Sequence, residues 1–295
     1  MTANTRVLRG GLHFGECPRW HDGRLWYVDF YDGAVHAIDP GGTDERVIEV
    51  PGEPAGLGWL PDGRLLIVAR KHRTLVTWDG SALAPYADLT DVFPSYGNDM
   101  VVAADGTAYV GNFGCDLDEL KEKHGRDALF GEPGIPATVM ARVDPDGAVS
   151  VATDGLKFPN GAIITPDGGT LVVAETYGRR LTAFDVSADG SLGNRRVWAD
   201  LAPHAVSPDG ICLDADGAIW VSNPGDTSCV RVVEGGEVTD RIMTIEKSFA
   251  VMLGGPDGRD LFIMTAPDSR EAVAGRATDG AIEVVKVDVP RAGLP

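Results

Sequence analysis

Four side chains with oxygen donors share one position relative to a repeated turn. Asp-Gly turns recur six times, and the residue seven positions before the turn Asp is Asn98, Asn160 or Asp209 in three of the repeats. In the first repeat, which is one residue shorter, Glu16 lies six positions before the turn. Carboxylate and amide oxygens are the ligands that hard divalent cations prefer. If the repeats are arranged in a ring, these four side chains meet at one depth on its axis.

A divalent cation at this meeting point is the chemistry that the four residue types favour. Glu16 and Asp209 would repel each other in a narrow channel of low dielectric constant. A cation of charge +2 removes this repulsion because it matches the two carboxylates. The absence of Cys and His from the set favours Ca²⁺ before Mg²⁺ or Mn²⁺, with Zn²⁺ a less natural occupant. The alternative is a polar channel lining that holds only water.

The elements that must position these residues follow from the period of the turns. Successive turns are separated by 40, 43, 62, 49 and 41 residues, and each lies between short runs rich in β-branched and aromatic residues. Asp-Gly between such runs predicts a β-hairpin in which both residues adopt positive φ. Four short strands per repeat of this length are typical of a β-propeller blade, whereas a β-sandwich does not explain the period.

We therefore predict an all-β fold, a single six-bladed β-propeller over residues 1–295 with four-stranded antiparallel blades around a central channel. A strand near residues 6–8 is expected to complete the last blade. The predicted blades cover approximately residues 12–50, 51–89, 90–150, 151–202, 203–245 and 246–289.

The third repeat is long because it contains an insert, residues 112–137. Its segment DLDELKEKHGRDALF predicts one amphipathic helix of about three to four turns, with Leu117, Leu120 and Leu129 on the apolar side. An insert between propeller strands can be a lid over one mouth of the channel or a surface decoration. The sequence leaves both alternatives open.

Composition limits the partners. The 295 residues carry 26 Lys and Arg against 44 Asp and Glu, a net charge of −18, which disfavours nucleic acid and anionic membranes. The chain has no run of 18 apolar residues, no apolar segment typical of a signal peptide, and four scattered cysteines. We expect a cytoplasmic protein, a monomer or small homo-oligomer, that acts on a small molecule. Serine-hydrolase and P-loop motifs are absent.

Four segments together resemble one known family. GECPRW (15–20), GND (97–99), FPNGAIITPDG (158–168) and SPDGICLDADGAIW (207–220) are similar to motifs of the regucalcin/gluconolactonase family, six-bladed propellers that hydrolyse lactones with one divalent metal on the axis. The resemblance implies that Glu16, Asn160 and Asp209 bind the metal. It implies that Asn98 contacts substrate or bound water, and that Asp209 also serves as the general base.

The expected pocket departs from that of the sugar lactonases. Tyr96 stands where those members carry an arginine that grips substrate hydroxyls, and Met100 stands where they often have glycine. This favours a less polar lactone or an activated ester over gluconolactone, although each aromatic residue could instead belong to the core. The other residues expected around the mouth are Phe14, Phe113, Cys115, Phe158 and Tyr177.

These observations predict a metal-dependent hydrolase that opens a lactone or activated ester. The cation would polarise the carbonyl, Asp209 or a metal-activated water would provide the nucleophile, and Asn98 would orient it. His72, His204 and Glu175 are weaker candidates for the site. The alternatives are a non-catalytic calcium-binding propeller and a propeller enzyme of other carbonyl chemistry, such as a strictosidine-synthase-like enzyme or a lyase.

Overall fold

The six repeats fold as six four-stranded antiparallel sheets, as predicted for a six-bladed β-propeller. The computed structural model describes residues 5–131 and 134–295. Residues 1–4 of the predicted propeller and residues 132–133 of the predicted insert therefore lie outside the described residues. None of the helices in the described ranges has the length and apolar character needed to cross a membrane.

Each blade is built from consecutive strands, except that the last blade includes the first strand of the chain. The strands are β1 (Arg6–Leu12), β2 (Gly15–His21), β3 (Arg24–Asp29), β4 (Ala34–Ile38), β5 (Asp44–Glu49), β6 (Pro54–Trp59), β7 (Leu65–Ala69), β8 (Thr74–Trp78), β9 (Leu83–Asp88), β10 (Gly97–Val102), β11 (Ala108–Asn112), β12 (Thr138–Val143), β13 (Val149–Leu156), β14 (Pro159–Ile164), β15 (Thr170–Glu175), β16 (Arg180–Val186), β17 (Leu192–Asp200), β18 (Ile211–Leu213), β19 (Ile219–Asn223), β20 (Ser228–Val232), β21 (Val238–Met243), β22 (Lys247–Gly254), β23 (Asp260–Ala266) and β24 (Gly280–Lys286). The helices are α1 (Leu117–His124) and α2 (Glu271–Ala274), with single 3₁₀ turns at Arg126–Leu129 and Ala202–His204.

The blades close into a ring. Blades 1 to 5 are β2–β5, β6–β9, β10–β13, β14–β17 and β18–β21, and blade 6 joins β22–β24 to β1. The first strands β2, β6, β10, β14, β18 and β22 each contact the next around the channel, and β22 contacts β2. The pairing of β1 with β24 confirms that the N-terminal strand completes the last blade. Closure of this kind leaves no long edge exposed at the ring seam.

Two boundaries differ from the prediction. Strand β13 continues to Leu156, beyond the predicted blade boundary at residue 150. The insert does not form one continuous helix, because Gly125 ends α1 with φ 80° and a 3₁₀ turn follows. Asp116 caps the start of α1, since its side chain accepts hydrogen bonds from the backbone N–H groups of Asp118 and Glu119.

The Asp-Gly turns are of two kinds. Only the first has positive φ at both residues, Asp22 (47°) and Gly23 (76°); at the other five, the glycine alone does. In the turn at Gly63, the Gly63 N–H donates to the Leu60 carbonyl and the Leu60 N–H donates to the Arg64 carbonyl. This is a type I turn followed by a left-handed glycine, which suits the proline that precedes Asp in PDG. All six turns lie at the end of the ring opposite to the four aligned side chains.

Candidate functional site

The structure brings together the four side chains that the repeat alignment singled out. Glu16 is in β2, Asn98 in β10 and Asn160 in β14, while Asp209 comes just before β18. All four are buried and border one cavity of about 150 Å³. We call these four residues the hub cluster. They converge because each lies at, or just before, the start of the first strand of a blade, and the first strands line the central channel.

The amide side chains of the hub cluster form a chain of hydrogen bonds. Asn98 Nδ2 donates to Asn160 Oδ1 (3.2 Å) and to the Pro159 carbonyl (3.3 Å), and Asn160 Nδ2 donates to Thr176 Oγ1 (3.2 Å). The hydrogen bonds that their Nδ2 groups donate therefore fix the orientation of both amide side chains. Asn98 Oδ1 accepts no hydrogen bond among the described residues, and Asn160 Oδ1 accepts one and keeps a second lone pair.

The two carboxylates of the hub cluster carry an electrostatic cost. Burial, together with the charge of Asp99, raises the pKa of Glu16 from 4.5 to about 8. Burial, and then the charges of Glu16 and Asp99, raise the pKa of Asp209 well above its usual value. Neither carboxylate has a Lys or Arg within salt-bridge distance among the described residues. The site thus gathers two carboxylates that no Lys or Arg of this part of the protein contacts directly, and the charge of Arg19 lowers the pKa of Glu16 without offsetting its burial.

A second layer, which the sequence analysis missed, holds Glu16 in place. The backbone N–H of Cys17 donates to Glu16 Oε2 (3.0 Å), and Cys17 Sγ donates to Asp99 Oδ1. Asp99 also lies 3.5 Å from Arg19, whose guanidinium donates to backbone carbonyls of three strands. Cys17 has φ 47°, a conformation that bulky residues rarely adopt and that clusters at functional sites. These residues adjoin Glu16 and Asn98 in the quoted motifs, and that adjacency was the available signal.

A further set of pocket residues, of which the sequence analysis named only Phe113, lies at a position that the sequence encodes. The residue just after the second strand of each blade lies at the same end of the hairpin as the hub cluster. In blades 1 to 5 it comes eight positions after the turn Asp, or nine where the turn has an extra glycine. Five such residues line the hub cavity: Phe30, Arg70, Phe113, Thr176 and Pro224.

The aromatic wall agrees largely with expectation. Phe14, Phe113, Phe158 and Tyr177 all border the hub cavity. The ring centroids of Phe113 and Phe158 are 4.9 Å apart, and those of Phe158 and Tyr177 are 5.3 Å apart. Burial raises the pKa of the Tyr177 hydroxyl, and the charge of Asp209 adds to the effect. The cavity is therefore apolar on its walls and acidic at its base.

Two of the predicted substrate residues lie farther out. Tyr96 and Cys115 border a neighbouring outer cavity of about 120 Å³, which shares Arg70, Phe113 and Leu117 with the hub cavity. Leu117 is the first residue of α1, so the insert does reach the mouth of the pocket.

The placement of Met100 at the pocket was wrong. Its side chain is fully buried in the core between blades 2 and 3, opposite Gly56, which leaves it room. The pairing of β10 with β11 is irregular between Gly97 and Met100. This bulge breaks the simple alternation that would have kept Met100 on the side of Asn98.

The weaker candidates lie outside the site. His72 is exposed on a turn, and His204 is exposed at the end of the 3₁₀ turn Ala202–His204. Glu175 is fully buried, but its carboxylate is bound by Arg180 (2.8 and 2.9 Å), by Thr182 Oγ1 and by the Lys157 N–H (2.8 Å). Burial alone would raise the pKa of Glu175, yet these hydrogen bonds and the charge of Arg180 lower it. Glu175 is therefore a structural carboxylate.

The fold and the hub cluster define a six-bladed β-propeller with an oxygen-rich axial centre suited to a hard cation. The chain belongs to the SMP-30/gluconolactonase/LRE-like family, whose model matches residues 14–267. This membership bears out the family resemblance of the four motifs.

Relatives and solved structures extend this finding. The pentonolactonase XacC of Haloferax volcanii is 28% identical over 301 residues, covering 99% of this chain and 96% of that protein. The 6-deoxy-6-sulfogluconolactonase of Pseudomonas putida is 24% identical over 296 residues, covering 98% and 96%. The crystal structure of regucalcin from Agrobacterium tumefaciens, described as a calcium-binding protein, superposes with a TM-score of 0.79 at 22% identity, covering 99% and 97%. The family and these named lactonases support lactone hydrolysis.

Proposed function

We propose that this protein hydrolyses lactones with a divalent cation that is held by Glu16, Asn160 and Asp209, and that Ca²⁺ is the preferred ion. The observation that carries the proposal is the pair of buried carboxylates, neither of which lies within salt-bridge distance of a Lys or Arg among the described residues. Such a pair is costly unless a cation neutralises it, and a structural carboxylate would have a partner as Glu175 does. The calcium-binding description of the superposed regucalcin is consistent with this choice.

The donor set fits a hard cation. Glu16 Oε1 makes no hydrogen bond among the described residues, and Asn160 Oδ1 keeps a lone pair. With Asp209, these oxygens converge on one cavity from three blades. Three protein ligands are fewer than the six to eight oxygens that Ca²⁺ takes, so room remains for water and substrate. Zn²⁺ is a weaker fit because it favours nitrogen and sulfur ligands, whereas Mg²⁺ and Mn²⁺ accept the same oxygen ligands and Mg²⁺ demands a stricter octahedral geometry than Ca²⁺.

The residues of the chain then have distinct parts in hydrolysis. When bound, a divalent cation supplies Lewis-acid polarisation of the lactone carbonyl and neutralises the two carboxylates. Asn98 uses its Nδ2 on protein acceptors, so its Oδ1 is free to accept a hydrogen bond from water and orient it. Asp209 accepts a proton from this water, and the water oxygen forms a bond to the acyl carbon of the lactone. The bond from the acyl carbon to the ring oxygen breaks, and Asp209 returns the proton to that oxygen, giving a hydroxy acid.

The pocket walls set the substrate class within lactones. Phe14, Phe113, Phe158 and Tyr177 offer apolar surface and exclude water from the acyl centre. A cavity of about 150 Å³ is small beside the several hundred cubic ångströms typical of sites for drug-sized ligands. We therefore propose a small lactone with one ring, or an activated ester of similar size.

An activity screen after metal removal tests this proposal. The protein is stripped with EDTA, dialysed, and assayed by pH-stat on five- and six-membered lactones and on aryl acetates. Ca²⁺, Mg²⁺, Mn²⁺ and Zn²⁺ are then added back separately. We expect hydrolysis that is lost on stripping and restored best by Ca²⁺. Unchanged hydrolysis in the stripped protein would refute the role of the metal, and calcium binding without hydrolysis of any lactone or ester would favour the non-catalytic alternative.

A further inference from the structure

Arg70 lies beside the hub cluster in an unusual environment. It follows β7, is 4% exposed, and borders both the hub cavity and the outer cavity. The guanidinium carbon lies 5.0 Å from the ring centroid of Phe30, 5.1 Å from that of Tyr96 and 5.7 Å from that of Phe113. Contacts of this kind hold an arginine by cation–π attraction and leave its hydrogen-bonding edges open.

Only one edge of the Arg70 guanidinium is used by the protein. Nε and Nη2 both bind Glu53 Oε2, at 2.8 and 2.6 Å. Nη1 has no acceptor among the described residues, the side chain is 5% exposed, and Arg70 borders both cavities. The edge formed by Nη1 and the outer hydrogen of Nη2 is the pair of parallel donors that matches the two oxygens of a carboxylate.

The charge around Arg70 is incompletely balanced. Glu53 is its one salt-bridge partner among the described residues, and Glu53 also pairs with Lys71 through Oε1. Two cations thus share one carboxylate, while the second partner of Lys71, Glu271, is 61% exposed and screened by water. The turn that carries Glu53 is held in a strained conformation, with φ 62°, by backbone hydrogen bonds from Arg70 and Lys71. The wall of the hub cavity therefore carries positive charge that the protein's own carboxylates neutralise only in part.

We propose that Arg70 is a specificity-determining residue that binds a carboxylate of the substrate. The preferred substrate class is then a small lactone that carries a carboxylate group on its ring. This inference rests on the proposed function, since it places that carboxylate next to the hub cluster. With a divalent cation neutralising Glu16 and Asp209, the added negative charge of the substrate balances the positive charge shared by Arg70 and Lys71.

Two lactones that differ at one substituent test the inference by kinetics. One is γ-butyrolactone with a carboxylate on its γ-carbon, and the other is γ-valerolactone, which has a methyl group there. In Arg70→Gln we expect the KM for the carboxylated lactone to rise by about tenfold to a hundredfold, as for loss of a charged hydrogen bond. The KM for γ-valerolactone should change by less than about twofold. An equal loss for both lactones would overturn the inference.

Two further variants control for folding and for charge alone. Arg70→Lys keeps the charge but not the paired donors, so it should recover only part of the preference. Arg64→Gln removes an exposed arginine at the other end of the same blade and should leave both KM values unchanged. Full recovery of the carboxylate preference in Arg70→Lys would contradict paired recognition.

A binding measurement separates this inference from the proposed function. Pyroglutamate and pyroglutamide are lactams of the same ring size with and without a carboxylate, and calorimetry on the calcium-loaded protein needs no turnover. We expect wild-type protein to bind pyroglutamate more tightly and Arg70→Gln to lose this difference. That result supports the inference even if no lactone is hydrolysed, in which case the proposed function fails alone. Equal affinity of wild-type protein for the two lactams would overturn the inference.

Discussion

Buried carboxylates in two regions of this propeller differ in how the protein neutralises their negative charge. Glu175, at the end of β15, receives two hydrogen bonds from Arg180 and others from Thr182 and a backbone N–H. Glu16 and Asp209, at the channel, receive few hydrogen bonds and no salt bridge among the described residues. The pKa of Glu175 is lowered despite burial, whereas burial and the charges of neighbouring carboxylates, Asp99 among them, raise those of Glu16 and Asp209.

The difference separates a structural carboxylate from one reserved for a ligand. Because Arg180 neutralises Glu175, we would expect an arginine in contact with Glu16 if Glu16 had the same structural role. The nearest candidate, Arg19, instead donates to three backbone carbonyls and lies 3.5 Å from Asp99. Under the proposed function, binding of a cation offsets the cost of burying the hub carboxylates in their charged form. The following predictions test this contrast, from the largest expected effect to the smallest.

The largest effect is expected on turnover. Under the proposed function, Asp209→Asn removes both a metal ligand and the general base while keeping the shape of the side chain. We expect lactone hydrolysis to fall at least about a thousandfold, measured by pH-stat at a Ca²⁺ concentration that saturates the wild-type protein. Glu175→Gln, the matched change at the structural carboxylate, should keep most of the activity of the folded fraction. Similar losses in the two variants would remove the functional distinction between the two regions.

In the absence of metal, the same two substitutions should change stability in opposite directions. Glu175→Gln leaves Arg180 without its charged partner and should lower the free energy of unfolding by about 3 kcal/mol. Asp209→Asn removes a poorly solvated acid and should raise it by about 1 kcal/mol. Urea unfolding in EDTA measures both. A lower stability of Asp209→Asn would mean that Asp209 is satisfied by the protein itself.

The sequence predicted the hub cluster because aligning the repeats on their turns fixes how far along the channel each residue lies. Once the hairpins are aligned on their turns, Glu16, Asn98, Asn160 and Asp209 fall in register without any knowledge of tertiary contacts. The same alignment, extended eight residues past the turn, would have found Arg70 as well. Periodicity therefore gives both the ring and the end of each blade that faces the pocket.

Features that depend on local backbone departures could not be read from the pattern. Met100 leaves the pocket because of the bulge after Gly97, and its place is made by Gly56 on a neighbouring blade. The helix of the insert stops at Gly125 because that residue adopts positive φ. The bulge does not change the hydrophobic pattern, so its effect becomes visible only when strands of neighbouring blades are placed together. The pattern likewise does not fix the φ angle that Gly125 adopts.

Added calcium should stabilise only proteins with an intact hub. At a concentration one hundred times its dissociation constant, a ligand that binds the folded state alone contributes about 2.7 kcal/mol. Wild-type protein and Glu175→Gln should both gain thermal stability by this mechanism, while Glu16→Gln should gain little. Differential scanning calorimetry with and without Ca²⁺ gives the comparison. Equal stabilisation of Glu16→Gln would place the bound calcium elsewhere.

The smallest effect is the pH dependence contributed by Glu175. Because its folded pKa lies below the ordinary value of 4.5, its stabilising contribution is complete above that pH and is lost as pH falls through the folded pKa. The stability gap between wild-type protein and Glu175→Gln should therefore narrow by about 1.4 kcal/mol for each unit by which the pKa is lowered. Urea unfolding in EDTA at several pH values below neutrality measures this gap. A gap that widens with acid would contradict the assignment.

Calorimetric titration of Ca²⁺ into metal-stripped protein tests the central claim most directly. We predict one site per chain in wild-type protein, the same site with nearly unchanged affinity in Glu175→Gln, and no measurable binding in Glu16→Gln or Asp209→Asn. Wild-type affinity in both hub variants, or no binding to the wild-type protein, would contradict the assignment of Glu16, Asn160 and Asp209 as the ligands of an axial cation.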